Sequence, residues 1–147
     1  MPEPATSFQS SALTPDEKAS LAAVFAAHSA VRAAYVFGSA ATGQRNARSD
    51  LDLAVWVRDD ASPQSVKLDL LTDLTRAGFD NIDLVVLNGA DLTVQYEALR
   101  PNQLVYAMED YDHGHVFSLT LRKYWDFLPY LRVQRAAYKE RLKRGLP

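Results

Sequence analysis

Residues 35–57 read YVFGSAATGQRNARSDLDLAVWV, two apolar runs joined by a more polar segment. The first run ends in Gly38-Ser39, and ten residues separate this pair from Asp50. Asp50 and Asp52 flank one leucine and lead into the second apolar run. The pattern predicts a strand, a phosphate-binding turn, and a second strand that begins with two metal-binding carboxylates.

The two aspartates are the first candidate metal ligands. Because side chains alternate along a strand, Asp50 and Asp52 are expected on one side, with their Cα atoms about 6.6 Å apart. Like charges this close repel unless a cation lies between them, and oxygen ligands suit Mg²⁺ or Mn²⁺. The Asp-x-Asp pattern is also common as a turn followed by an exposed strand charge. That alternative stays open on this pattern alone.

Gly38 and Ser39 are the candidate phosphate-binding residues. Glycine allows a sharp turn and close approach to a ligand, and backbone N–H groups after such a turn can bind phosphate oxygens. Gly43 adds a second flexible point, and Arg45 and Arg48 supply positive charge nearby.

Asp83 is a third candidate carboxylate, because it lies within the apolar run 82–87. An unpaired carboxylate is costly to bury. If its strand lies beside the second strand, Asp83 completes a triad with Asp50 and Asp52, and can orient an attacking hydroxyl. The alternative is an exposed Asp83 at the start of the strand, hydrogen-bonded within the turn at residues 80–81.

Composition limits the class of protein. With 147 residues, 48% of them hydrophobic and 23% charged, the chain is expected to form one domain at residues 13–147, preceded by a loose arm at residues 1–12. The absence of cysteine excludes disulfides, zinc-thiolate sites and thiol catalysis. The net charge of −2 argues against direct nucleic-acid binding. Without a signal-peptide pattern or a membrane-spanning run, the protein is expected to be cytoplasmic.

Helices and strands alternate along the chain, which predicts an α/β fold: a small mixed β-sheet with helices packed on it. Cap residues, glycines and prolines locate the boundaries, as where Thr14, three residues before Glu17, is expected to cap the first helix. Pro129 is expected to kink or divide the long C-terminal helix. The predicted strands are residues 31–37, 50–57, 82–87 and 104–108, and the predicted helices are residues 14–28, 62–78, 91–100 and 115–144.

Together these motifs resemble the DNA polymerase β-like nucleotidyltransferase superfamily, with Gly38-Ser39, Asp50-x-Asp52 and Asp83 matching its pattern. The short length and the sequence Ser-Asp-Leu-Asp-Leu-Ala-Val, which begins at Ser49, are similar to the minimal nucleotidyltransferases. These are the MNT partners of HEPN proteins in bacterial and archaeal toxin–antitoxin pairs. The resemblance extends from residue 18 to about residue 135.

The resemblance implies an activity and a partner. Two Mg²⁺ ions on Asp50 and Asp52 would bind ATP, Gly38 and Ser39 would hold its β- and γ-phosphates, and Asp83 would join one metal and activate the acceptor. AMP would pass to a tyrosine of a HEPN ribonuclease toxin, with which the chain is expected to assemble. One departure from the family is the uncharged segment 40–43, which leaves phosphate neutralisation to Arg45, Arg48 or a partner's side chain.

Other functions stay open at this stage. The chain can be a binding-only antitoxin that masks its partner without catalysis, or a transferase that modifies an antibiotic or another small molecule. Seven aromatic residues are candidates for either an interface or the core. They are Tyr106, Tyr111, Phe117, Tyr124, Trp125, Phe127 and Tyr130.

Overall fold

The computed structural model describes residues 13–42 and 50–145, so the predicted arm at residues 1–12 lies outside the described residues. Within them, helices and strands alternate along the whole chain. The strands are β1 (Val31–Phe37), β2 (Leu51–Val57), β3 (Ile82–Val86) and β4 (Leu104–Ala107). The helices are α1 (Pro15–Ala26), α2 (Gly38–Thr42), α3 (Pro63–Arg76), α4 (Leu92–Leu99) and α5 (His113–Lys143).

The four strands form one mixed sheet in the order β3-β2-β1-β4. Strand β1 is antiparallel to both of its neighbours, whereas β2 and β3 run parallel. The parallel pair needs a crossover, and α3 supplies it. The expected α/β fold with a mixed sheet is therefore confirmed.

Local sequence explains where the helices begin. Thr14 accepts a hydrogen bond from the Glu17 backbone at 3.1 Å, and Glu17 Oε1 accepts one from the Thr14 backbone at 2.9 Å. This reciprocal pair is a capping box, and Pro15 occupies the first helical position. Ser62 caps α3 with a single hydrogen bond, which its hydroxyl accepts from the Ser65 backbone at 3.4 Å, and Pro63 follows at the first helical position.

Helices cover both faces of the sheet. On one face, Leu21 and Phe25 of α1 and Leu70 of α3 pack against the alternate β2 residues Leu51 and Leu53. On the other face, a second cluster contains Tyr35, Ala54 and Leu99, with residues of α5 packed around it. The alternation that predicted strand β2 thus separates two cores rather than a core and a solvent face.

The structure differs from the sequence-based prediction at several points, most of them boundaries that shift by one or two residues. Residues Gly38–Thr42 form the short helix α2, where a turn was expected. Helix α5 begins at His113, two residues before the predicted start. Pro129 lies inside α5 without dividing it. None of the helices in the described part of the chain combines the length and apolar character needed to cross a bilayer.

Candidate active site

The sheet places the end of one strand beside the starts of two others. Phe37, the last residue of β1, pairs with Asp52 of β2, and Asp52 pairs in turn with Asp83 of β3. Residues directly opposite each other in a sheet project to the same face. Asp52 and Asp83 therefore lie side by side on one face, next to the Gly38 turn.

The predicted triad is only partly assembled by the strands. Asp50 lies one residue before β2, so it is not in the strand where it was expected. Asp52 is half-buried, whereas Asp50 and Asp83 are exposed. Asp83 is exposed at the start of its strand and also pairs with Asp52, and its place in a metal-binding triad stays a prediction.

Charge and burial act together on Asp52. Its partial burial, followed by the negative charges of Asp83 and Asp50, raises the pKa of the Asp52 carboxyl above its usual range. The ionised form of Asp52 is therefore destabilised in the absence of a positive charge nearby. A bound cation is the simplest way to stabilise it.

Gly38 is the residue that brings the backbone close to Asp52. Its φ is +66°, in the left-handed region that favours glycine. A Cβ added at Gly38 would overlap Asp52 Oδ2 and lie 3.0 Å from Asp52 Cγ. No other amino acid fits here unless Asp52 moves.

The metal ions implied by the resemblance can be tested against these residues. The donor set consists of carboxylate oxygens, which suit Mg²⁺ or Mn²⁺, and the like charges around Asp52 favour a cation. Within residues 13–42 and 50–145, however, no three acidic or histidine side chains converge closely enough to hold one ion. The chemistry of the site fits a metal, and the three-carboxylate ligand set stays a prediction.

The phosphate-binding residues are placed only in part. The backbone of Gly38 and Ser39 begins helix α2 directly after β1. Arg45 and Arg48 lie outside the described residues, so their predicted contact with phosphate stays a prediction.

Sequence reasoning missed a polar network on the same face of the sheet, which runs from the buried Tyr35 to the exposed Asn102. The hydroxyl of Tyr35 lies 2.8 Å from the Tyr111 hydroxyl and 2.8 Å from His113 Nδ1, and His113 Nε2 lies 2.7 Å from Asn102 Oδ1. Burial, followed by the hydrogen bond to Tyr111, raises the pKa of Tyr35 far above its usual range, so the phenol stays protonated. Tyr35 pairs with Ala54, two residues from Asp52, so the network stiffens the strands that carry the site.

The polar network had no local sequence signal, because its members come from β1, the loop before β4, the turn after β4 and the start of α5. Only the unusual φ of +58° at Asn102 marks a constrained residue, and that is visible in the structure alone.

The seven aromatic candidates divide between core and surface. Tyr111 and Phe117 pack against the second core cluster, Tyr106 packs against the first, and Tyr124 stacks on Tyr96 at a centroid distance of 3.8 Å. Phe127 is half-buried and stacks on Tyr130. Trp125 and Tyr130 are 55% and 58% exposed.

A family model described as polymerase beta nucleotidyltransferase matches residues 19–111. This range includes the Gly38 turn and all three candidate carboxylates. No curated protein matches the chain significantly in sequence.

Several solved structures share the fold. One is a chain from a toxin–antitoxin complex with AMP-PNP, 20% identical, with a TM-score of 0.64 over 86% of this chain and 98% of that one. Another comes from a tri-AMPylated Shewanella oneidensis HEPN toxin in complex with its MNT antitoxin, 16% identical, with a TM-score of 0.58 over 86% and 95% of the two chains. A MntA–HepT toxin–antitoxin complex gives 17% identity and a TM-score of 0.58 over 86% and 96%. These likenesses confirm the fold expected from the resemblance.

Proposed function

Because the chain belongs to the polymerase beta nucleotidyltransferase family, we propose that it is an antitoxin that transfers AMP from ATP to a tyrosine of a HEPN toxin. The observation that carries this proposal is the pairing of Asp52 with Asp83 beside the Gly38 turn. That arrangement puts two carboxylates next to a backbone turn suited to phosphate. Because ATP is the donor, the proposal also implies a cytoplasmic protein.

The similar structures support the choice of donor and acceptor. The matched complexes include one with AMP-PNP and one with a HEPN toxin that carries three AMP groups and is bound to an MNT antitoxin. The present chain covers 98% and 95% of those two chains, so its domain is of the same minimal kind.

The chain's own residues have separate roles in the proposed reaction. Asp50 and Asp52, with Asp83, would hold the Mg²⁺ ions, which supply positive charge to the triphosphate when bound. Backbone groups of Gly38 and Ser39 would bind the β- and γ-phosphates, with Arg45 and Arg48 adding positive charge. Catalysis by such a site consists mainly of positioning and charge neutralisation.

The chemical step is an in-line displacement. The tyrosine oxygen forms a bond to the α-phosphorus of ATP, and the bond from that phosphorus to the bridging oxygen breaks. Pyrophosphate leaves with the electron pair of the broken bond. Asp83 accepts the phenol proton, and the product is tyrosine joined to AMP by a phosphodiester.

The direct test follows label from ATP. With α-labelled ATP and Mg²⁺, label should appear on a co-expressed HEPN partner, and the partner's ribonuclease activity should fall as labelling proceeds. The matched control is Asp59→Asn, a substitution in the exposed loop after β2, which should label normally. Neutralisation of the partner by the wild type without any transfer of label would sink the proposal.

A second function is favoured by one specific observation, the large apolar side chains that α5 exposes between Trp125 and Leu142. Trp125, Tyr130, Val133, Tyr138 and Leu142 are each at least 55% exposed. Large apolar and aromatic side chains exposed on a helix suit contact with a partner, so the chain can act as a binding-only antitoxin that masks its partner. The double variant Asp50→Asn, Asp52→Asn separates the two functions, since masking survives it and AMP transfer does not.

A further inference from the structure

Strand β3 forms one edge of the sheet. It pairs with β2 on one side, and no described residue pairs with it on the other. Leu51 N donates to Asn81 O and Leu87 N donates to Val55 O, which sets the parallel hydrogen-bonding pattern. In that pattern alternate residues bond to the neighbour, so the backbone groups of Ile82, Leu84 and Val86 point to the open side.

A groove of about 320 Å³ runs along this edge. Residues 83–86 form one wall, and the first turns of α3 form the other, through Pro63, Gln64 and Lys67. Leu84 packs against the first core cluster and Val85 against the second, so these neighbours project to opposite faces. The groove therefore follows the edge of the sheet itself, and an extended chain can lie in it.

The groove is continuous with the candidate active site, because Asp83 belongs to both. A strand added at this edge would lie about 4.8 Å from β3. Its residue opposite Asp83 would project to the face that carries Asp83 and Asp52. The other edge of the sheet, β4, carries neither aspartate.

Charge also selects the occupant. Lys67 lines the groove and forms no ion pair with any described residue. A lysine without a partner beside an open strand edge favours a segment with acidic side chains. This argues for an acidic, extended segment over a second copy of β3, which would bring a second Lys67 to the same edge.

We propose that the open edge of β3 binds the acceptor segment as an added strand, with its tyrosine opposite Asp83 and its acidic side chains near Lys67. The inference rests on the proposed AMP transfer, and it names how the acceptor reaches that site. The ligand class is an extended, tyrosine-containing peptide segment with acidic neighbours. Main-chain hydrogen bonds supply binding, and the register supplies selectivity for one tyrosine.

Binding is tested first without turnover. Amide hydrogen exchange is measured on the full chain with the synthetic peptide acetyl-Glu-Val-Tyr-Val-Thr-amide at millimolar concentration. The control peptide has the same sequence with alternate backbone nitrogens methylated, so it cannot pair as a strand. The first peptide should slow exchange at Leu84 and Val86 at least about fivefold, the effect of one hydrogen bond, and the methylated peptide should not.

Substitutions then test the edge itself. Val86→Pro removes an outward N–H while leaving the ladder to β2 intact, and Val86→Ala is its matched control. Val86→Pro should weaken peptide binding and raise the KM for the protein acceptor about fivefold, with kcat and ATP affinity unchanged. Lys67→Glu should do the same through charge, whereas Lys139→Glu on the exposed end of α5 should not.

Two results would overturn the inference: unchanged exchange at the β3 edge with peptide present, or a dimer whose β3 edge is already protected before peptide is added. Protection of the edge in a protein that transfers no AMP from ATP would confirm peptide binding at β3, and would remove the proposed function together with the acceptor role of that peptide. Binding of peptide that Val86→Pro and Lys67→Glu leave unaffected would also count against the β3 edge.

Discussion

Gly38 controls the shape of the site because glycine has no Cβ. The backbone is left-handed there, and the space that a Cβ would fill is taken by the Asp52 carboxylate. Gly78, at the end of α3, also has a positive φ, of 99°, but no atom lies within 4 Å of an added Cβ. A side chain at Gly78 would therefore cause backbone strain alone, whereas a side chain at Gly38 would cause backbone strain and also collide with Asp52.

We predict that Gly38→Ala lowers AMP transfer roughly 100-fold or more, because Asp52 must move away from its position. Gly78→Ala should leave transfer unchanged and cost about 1 kcal/mol of stability through backbone strain alone. Steady-state kinetics and thermal unfolding of both variants provide the measurement. Equal losses of activity in the two would show that Gly38 acts only through the backbone.

Asp52 is expected to lower the free energy of unfolding at neutral pH, because its carboxylate is ionised in an unfavourable environment. Its carboxyl pKa is raised in the folded chain, so ionisation at neutral pH opposes folding. Below the unfolded pKa of about 3.9, both states are protonated and the penalty vanishes. The cost to stability is therefore present at pH 7 and disappears in acid.

We predict that Asp52→Asn raises the Tm at pH 7 in metal-free buffer, and that this gain shrinks as the pH falls through the raised pKa of Asp52 and is lost below about 3.9. The same substitution should lower AMP transfer roughly 100-fold or more. Thermal unfolding between pH 7 and pH 3 measures the first effect. A gain in Tm that is the same at both ends of the range contradicts the charge argument.

Among the elements, α5 has two halves with different surroundings. The first half packs against the second core cluster through Val116 and Phe117, and Tyr124 stacks face to face on Tyr96 of α4. From Arg132 to Gly145, every residue is exposed. At about 1.5 Å per residue, the 31 residues of the helix span about 46 Å. The second half therefore extends beyond the part that packs on the sheet.

We predict that Tyr124→Ala lowers the free energy of unfolding by roughly 1–3 kcal/mol, because it removes a stacked aromatic contact and half-buried area. Tyr138→Ala, on the exposed half of the same helix, should change it by less than about 0.5 kcal/mol. Chemical denaturation of both variants measures the two changes in the free energy of unfolding. Similar losses would mean that the end of α5 is covered by another surface in solution.

At the scale of the whole molecule, the fold separates a compact sheet domain from the end of its longest helix. A chain ending at Arg132 loses only residues that are exposed or lie outside the described part. We predict that this shortened chain has a Tm within about 3 °C of the full chain, since burial supplies most of the stability. A much lower Tm in calorimetry would show that the helix end packs against a second molecule.

Sequence patterns predicted the elements because those patterns are local. Residues 31–37 were assigned correctly as a strand by apolar content alone, and Thr14 was assigned correctly as a cap from its spacing to Glu17. Helix α2 was missed, since a five-residue helix leaves no periodic signal. Pro129 was expected to kink or divide α5, and it does not divide the helix, which continues through it.

By itself, the sequence determined the alternation of strands and helices, the glycine at the end of β1, the order of the carboxylates and the family. The tertiary structure alone decided which carboxylates meet. Asp52 and Asp83 are joined by a strand register across thirty residues of chain, and that register depends on how α3 packs, not on local spacing. The Tyr35 network and the open edge of β3 likewise exist only once distant segments pack together.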